Sequence, residues 1–147
     1  MRACILIADA DSALTGLYRD CLIDAGFVAR TAGTGLSCVA VLRNLRPNLL
    51  VLGTNLLWGG AEGVLATMED EPDLRPEVVI VLARSGERSI LRRLAGYGVE
   101  GYQWKPLSPT RLVTHVRAML AQGASPIATA RHLPGAHERR SIMPQSL

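Results

Sequence analysis

Most of the side chains able to do chemistry sit in four short clusters, and each cluster follows an apolar run. Asp9, Ala10 and Asp11 close the run 3–8, and Gly53, Thr54 and Asn55 close 49–52. Ala83, Arg84 and Ser85 follow 78–82, and Lys105-Pro106 follows 101–104. Asp9 and Asp11 form a carboxylate pair able to offer hard oxygen donors to a cation. Lys105 and Arg84 put two positive charges where an oxyanion such as phosphate or sulfate could rest. The same groups also have structural uses. Asp9 and Lys105 can pair as ions, and Asp11 can cap the helix after it, with Ser12 as competitor. Lys105 stands apart by composition, because the other fifteen of the sixteen basic residues are Arg.

Other chemistries are poorly served. No glycine-rich loop follows the first run, so the dinucleotide fingerprint and the phosphate-binding P-loop are both missing. Cys4, Cys21 and Cys38 are odd in number, lack CxxC spacing and fall on apolar positions, which reads as reduced core thiols of a cytoplasmic protein. His115 lies in the last helical stretch and is expected to face solvent, while the other histidines fall after residue 121. No metal ligand set emerges.

The elements that must position these clusters alternate along the chain. Residues 3–8, 27–31, 49–52, 78–82 and 101–104 read as short strands, the first, third and fourth of them apolar throughout and the last more polar, as suits a sheet edge. Between them run helical stripes such as Leu14, Leu17, Tyr18, Cys21 and Leu22, closed by Gly26. Ser108 and Pro109 are a good N-cap and first residue for the last helix. Five strands alternating with five helices predict an α/β, doubly wound five-stranded parallel sheet over 1–121. In such a sheet, ligands bind outside the carboxyl ends of the strands, where the four clusters fall.

Length and composition bound the rest. The chain has 147 residues, 48% hydrophobic and 20% charged, which suits one compact domain rather than two or a disordered chain. Its apolar runs are too short to span a membrane, and Asp9 interrupts any signal-peptide core. The net charge of +3 is mild, and most of the excess lies in residues 122–147. That argues against nucleic-acid binding by the domain. Residues 122–147, with Gly, Ser, three Pro and scattered Arg, read as an appended tail, flexible or packed on the domain or a neighbour. Trp58 and Trp104 read as partly buried aromatics, Trp104 being the better interface candidate.

Over roughly 3–121 the chain resembles a response-regulator receiver domain. The matching pieces are ILIADAD, AGF, RPNLLVLG, VVIVLARSG and GVEGYQWKPL, the last being the most specific because an aromatic precedes a Lys-Pro pair by three residues. The resemblance implies a flavodoxin-like (βα)5 fold with strand order 2-1-3-4-5. It also implies a bacterial, cytoplasmic role in phosphorelay signal transduction. A receiver takes a phosphoryl group on an Asp ending the third strand, with two acids after the first strand holding Mg²⁺. A Thr or Ser after the fourth strand and a Lys after the fifth then bind the phosphoryl oxygens.

Carried over by position, Asp9, Lys105, Pro106 and Tyr102 match. Ala10 stands in place of the second acid, Gly53 in place of the phosphoacceptor and Ala83 in place of the Thr or Ser. No Asp occurs between Asp24 and Asp70, and Glu62 lies too far on to rescue the register. The segment after Gly53 is longer than the family spacing and lacks its usual Pro.

The resemblance therefore predicts a pseudo-receiver without phosphoacceptor, Mg²⁺ cofactor or enzymatic activity. It would act as a stand-alone adaptor through protein–protein contact. Its partner would be a signalling protein, a histidine-kinase-type component or a second copy. Family analogy places the contact on the fourth helix, fifth strand and fifth helix, with Ile90, Arg93, Tyr102, Trp104 and Arg111; without an acceptor to drive it, Tyr102 is expected in a fixed position, facing a partner or in the core. Two alternatives remain open: a receiver using an unconventional acceptor, and a small-ligand or anion sensor at the strand ends.

Overall fold

A computed structural model describes residues 2–57 and 59–123. Strands β1 (Cys4–Ala8), β2 (Val28–Ala32), β3 (Leu49–Gly53), β4 (Val78–Arg84) and β5 (Gly101–Lys105) form one parallel sheet in the order β2-β1-β3-β4-β5. Helices α1 (Ser12–Asp24), α2 (Gly35–Leu45), α3 (Gly60–Asp70), α4 (Arg88–Ala95) and α5 (Pro109–Gly123) make the crossovers, with a 3-10 turn at Pro72–Leu74. The doubly wound sheet and its strand order agree with the sequence reading.

Strand alternation divides the core. Leu6, Leu50, Leu52, Val79 and Val81 face α2, α3 and α4, whereas Ile5, Ile7, Leu49, Val51, Ile80 and Leu82 face α1 and α5. Both faces of the central strands are covered, which is why these runs are apolar without alternation. Continued past the apolar segments, the period of two puts Asp9, Gly53, Arg84 and Lys105 on the α1/α5 side of the sheet's carboxyl edge.

Helix ends follow local chemistry. Asp11 caps α1 by accepting from Leu14 N at 3.1 Å, and Thr34 with Ser37 forms a reciprocal capping box on α2. Ser108 Oγ accepts from Arg111 N at 3.1 Å ahead of Pro109, as its sequence suggests. Gly26, at φ 100°, supplies the left-handed residue that turns the chain after α1.

Several boundaries differ from the sequence reading. Gly53 pairs with Leu82, Ala83 with Trp104 and Arg84 with Lys105, so these residues end the strands rather than follow them. The parallel ladder continues because a neighbouring strand supplies partners, which the residues alone do not reveal. Helix α5 runs to Gly123, past the boundary drawn at 121. The remainder of the expected tail, 124–147, lies outside the described residues, as does Trp58.

Candidate functional site

The carboxyl edge of the sheet brings Asp9, Gly53 and Lys105 together. Asp9 is 2% exposed, and its Oδ2 accepts from Lys105 Nζ at 2.5 Å, while Oδ1 accepts from Asp11 N at 2.9 Å. The ion pair expected from sequence is therefore present, with a Lys105 side chain only 13% exposed. Gly53 lies directly beneath this carboxylate. A Cβ built on Gly53 would meet Asp9 Oδ2 at 2.2 Å, Asp9 Cγ at 2.8 Å and Asn55 Oδ1 at 3.0 Å. The space in which a residue-53 side chain would begin is filled by Asp9.

Asp11 does not join Asp9 in a cation site, because its exposed side chain serves as the α1 cap. With an ammonium already on Asp9, and with Ala10 and Gly53 offering no side-chain oxygen, the donor set does not fit Mg²⁺. Among the described residues, no group of three or more His, Cys, Asp or Glu could hold a metal ion.

A second cluster escaped the sequence reading. Ala83 is fully buried in the core, and Arg84 and Lys105 form no shared oxyanion cradle, since each turns to its own carboxylate. Glu87 Oε1 accepts from Thr54 Oγ1 and from Arg84 N, both at 2.7 Å, with Arg84 Nη2 at 3.7 Å from Oε2. One carboxylate thus joins the end of β3, the end of β4 and the start of α4. No short-range signal marked Glu87, because Thr54 lies 33 positions away in sequence. Tyr18 was missed for the same reason: its hydroxyl donates to Leu107 O at 2.7 Å, joining α1 to the segment before α5. Burial, followed by the charges of Asp9 and Asp11, pushes this phenol up to about 12.

No protein-family model matches the chain. The DNA-binding response regulator MtrA of Mycobacterium tuberculosis is 30% identical over 120 residues, covering 82% of this chain and 51% of that protein. The probable transcriptional regulator ycf27 of Pyropia yezoensis is 28% identical over 132 residues, covering 88% of this chain and 52% of that protein. The CheY-like receiver domain of Methanospirillum hungatei superposes with a TM-score of 0.76 at 22% identity, over 84% of this chain and 97% of that one. The chain is thus similar in sequence to response regulators and has the fold of their CheY-like receiver domains. A signal receiver domain from Vibrio parahaemolyticus gives a TM-score of 0.74 at 23% identity, over 93% of this chain and all of that one, again a likeness of fold. The chain spans about half the length of the curated relatives it matches. No helix among the described residues is long and apolar enough to cross a membrane.

The face formed by α4, β5 and α5 differs in part from the sequence expectation. Tyr102 and Trp104 are only 3% and 6% exposed, so neither presents its ring to a partner. Both pack in the core with Leu91 and Leu94 of α4, which covers this side of the edge strand, and the Arg88 guanidinium lies 5.7 Å from the Trp104 ring centre. Ile90 is partly buried against the same cluster. Arg93 pairs with Glu62 of α3 at 2.8 Å, and Tyr97 Oη donates to the same carboxylate. Of the five proposed contact residues, Arg111 is exposed without an ion pair among the described residues. It lines an open groove of about 320 Å³ with Gln103, Leu107, Thr114, His115 and Ala118. His115 is half-buried rather than solvent-facing, because it packs over Gly101, where β5 has no side chain to hold it off. Burial lowers its pKa.

Proposed function

We propose that this receiver works in two-component-type signalling by protein–protein contact, without taking a phosphoryl group and without Mg²⁺. The observation carrying the reading is at residue 53, where the family's acceptor position is a glycine overlain by the Asp9 carboxylate. Phosphoryl transfer to a receiver needs an accessible carboxylate in line with the donor, and Asp9 is buried and engaged by Lys105. The remaining charges of the pocket already have internal partners, so they hold the strand ends together and do no chemistry. On this reading the protein is not an enzyme. Its signal is the surface of α4, β5 and α5, offered to a kinase-type component, another signalling protein or a second copy. DNA binding is named for MtrA, and we assign no such role to this domain.

Incubation with acetyl phosphate and Mg²⁺, read by intact mass, tests the proposal. The mass is expected to stay unchanged. A covalent gain of one phosphoryl group would overturn it, and would favour an unconventional acceptor instead.

A further inference from the structure

Glu87 precedes α4 at the N-cap position but makes no side-chain cap bond to that helix. Its carboxylate points back to the strand ends, where Thr54 Oγ1 and Arg84 N converge on one oxygen at 2.7 Å each. The Glu87 side chain is 14% exposed, whereas that of Arg84 is 65% exposed, so the carboxylate is the shielded member of the cluster. A hydroxyl, a main-chain amide and a nearby guanidinium directed at one anionic group form an oxyanion seat. Here the chain itself supplies the anion. Thr54 is also tied to β4 through its amide, which donates to Leu82 O at 3.0 Å. Through Glu87, these bonds fix the start of α4 against β3 and β4.

We propose that Glu87 is the resident anion of this seat, an internal ligand that locks the β4–α4 junction and keeps phosphate-class oxyanions out. The α4 surface is then set in one placement by the chain alone, with no exogenous ligand to gate it. This goes beyond the proposed mode of signalling, and the two are tested by separate readouts: covalent mass for phosphoryl uptake, reversible anion binding for the lock.

The test titrates inorganic phosphate into the full chain as wild type, Glu87→Ala and Glu87→Gln, following the amide resonances of Thr54 and Arg84. Removing a charge-assisted acceptor from two donors should free them for an external anion. Phosphate should therefore bind Glu87→Ala at least about tenfold more tightly than wild type, with saturable shifts at Thr54 and Arg84. Glu87→Gln keeps an acceptor oxygen but loses the charge, so its gain should be smaller and still above wild type. The Arg84 amide should also exchange at least about tenfold faster in Glu87→Ala. Phosphate shifts in Glu87→Ala equal to those of wild type would overturn the proposal, and so would shifts confined to sites away from Thr54 and Arg84. Should Glu87→Ala fail to fold, Glu87→Gln decides alone: a phosphate affinity no higher than wild type refutes the lock.

Discussion

Replacing Gly53 with Ala adds one methyl group, and the structure specifies what that methyl meets. Its Cβ would lie 2.2 Å from Asp9 Oδ2, against about 3.5 Å for a relaxed contact, so something must move by more than about 1 Å. The backbone of Gly53 is held by its pairing with Leu82, and Asp9 is therefore the group that yields. Its displacement breaks the contact with Lys105 and the bond from Asp11 N. Breaking a buried ion pair by removing a partner costs about 3–5 kcal/mol. Partial re-pairing after the swing, and the roughly 0.5–1 kcal/mol by which Gly→Ala stiffens the unfolded chain, offset part of this. We expect a net loss of about 2–4 kcal/mol, or a melting temperature lower by about 10 °C.

Urea denaturation of wild type, Gly53→Ala, Asp9→Ala and the double variant measures it. With Asp9 truncated, the methyl group meets no carboxylate, so the Gly53→Ala penalty should shrink by at least about 1.5 kcal/mol in that background. A Gly53→Ala protein within about 0.5 kcal/mol of wild type would refute the steric reasoning. Strict additivity in the cycle would refute the assignment of the clash to Asp9.

Two further outcomes follow from buried titratable groups. Burial lowers the His115 pKa below its ordinary 6.5, so the unfolded chain binds a proton that the folded one resists. The resulting stability is fully present above the unfolded value and is lost as pH falls through the folded one. Urea midpoints measured across that window should fall less steeply for His115→Leu than for wild type, and equal slopes would contradict the burial. Burial also pushes the Cys38 thiol up to about 12 at a site with no solvent exposure. Iodoacetamide at neutral pH should spare Cys38 in the native protein, modify the partly exposed Cys4 and Cys21, and reach Cys38 only after denaturation. Mapping the labelled peptides checks this, and native labelling of Cys38 would count against the packing around α2.

What was legible in the sequence was what local chemistry decides. Asp11, Ser108 and Pro109 cap their helices because caps act within one turn, and the apolar runs announced a sheet covered on both faces. The Asp9–Lys105 pair was legible too, because strand order places both groups at one sheet edge. The misreadings lie where a distant element decides. Trp104 looks like an edge-strand interface aromatic until α4 is laid over it. His115 looks like a solvent-facing helix residue until Gly101 leaves room beside it. Glu87 looks like an unremarkable loop acid until Thr54 is brought beside it. Strand ends behaved alike: Ala83 and Arg84 extend β4 because β5 offers Trp104 and Lys105 as ladder partners.

The single lysine has a geometric explanation within this arrangement. Arg surpasses Lys at a carboxylate when its planar fork can engage both oxygens. Asp9 meets Lys105 through Oδ2 alone, above Gly53, while Oδ1 accepts from Asp11 N. A guanidinium there would have to place five N–H donors in a largely enclosed space, whereas a compact ammonium meets Oδ2 at 2.5 Å. The same geometry ties Lys105 to Gly53. Asp9 meets the ammonium from a place over residue 53 that is open only while that residue has no side chain. Gly53 and Lys105 are therefore two parts of one packing arrangement.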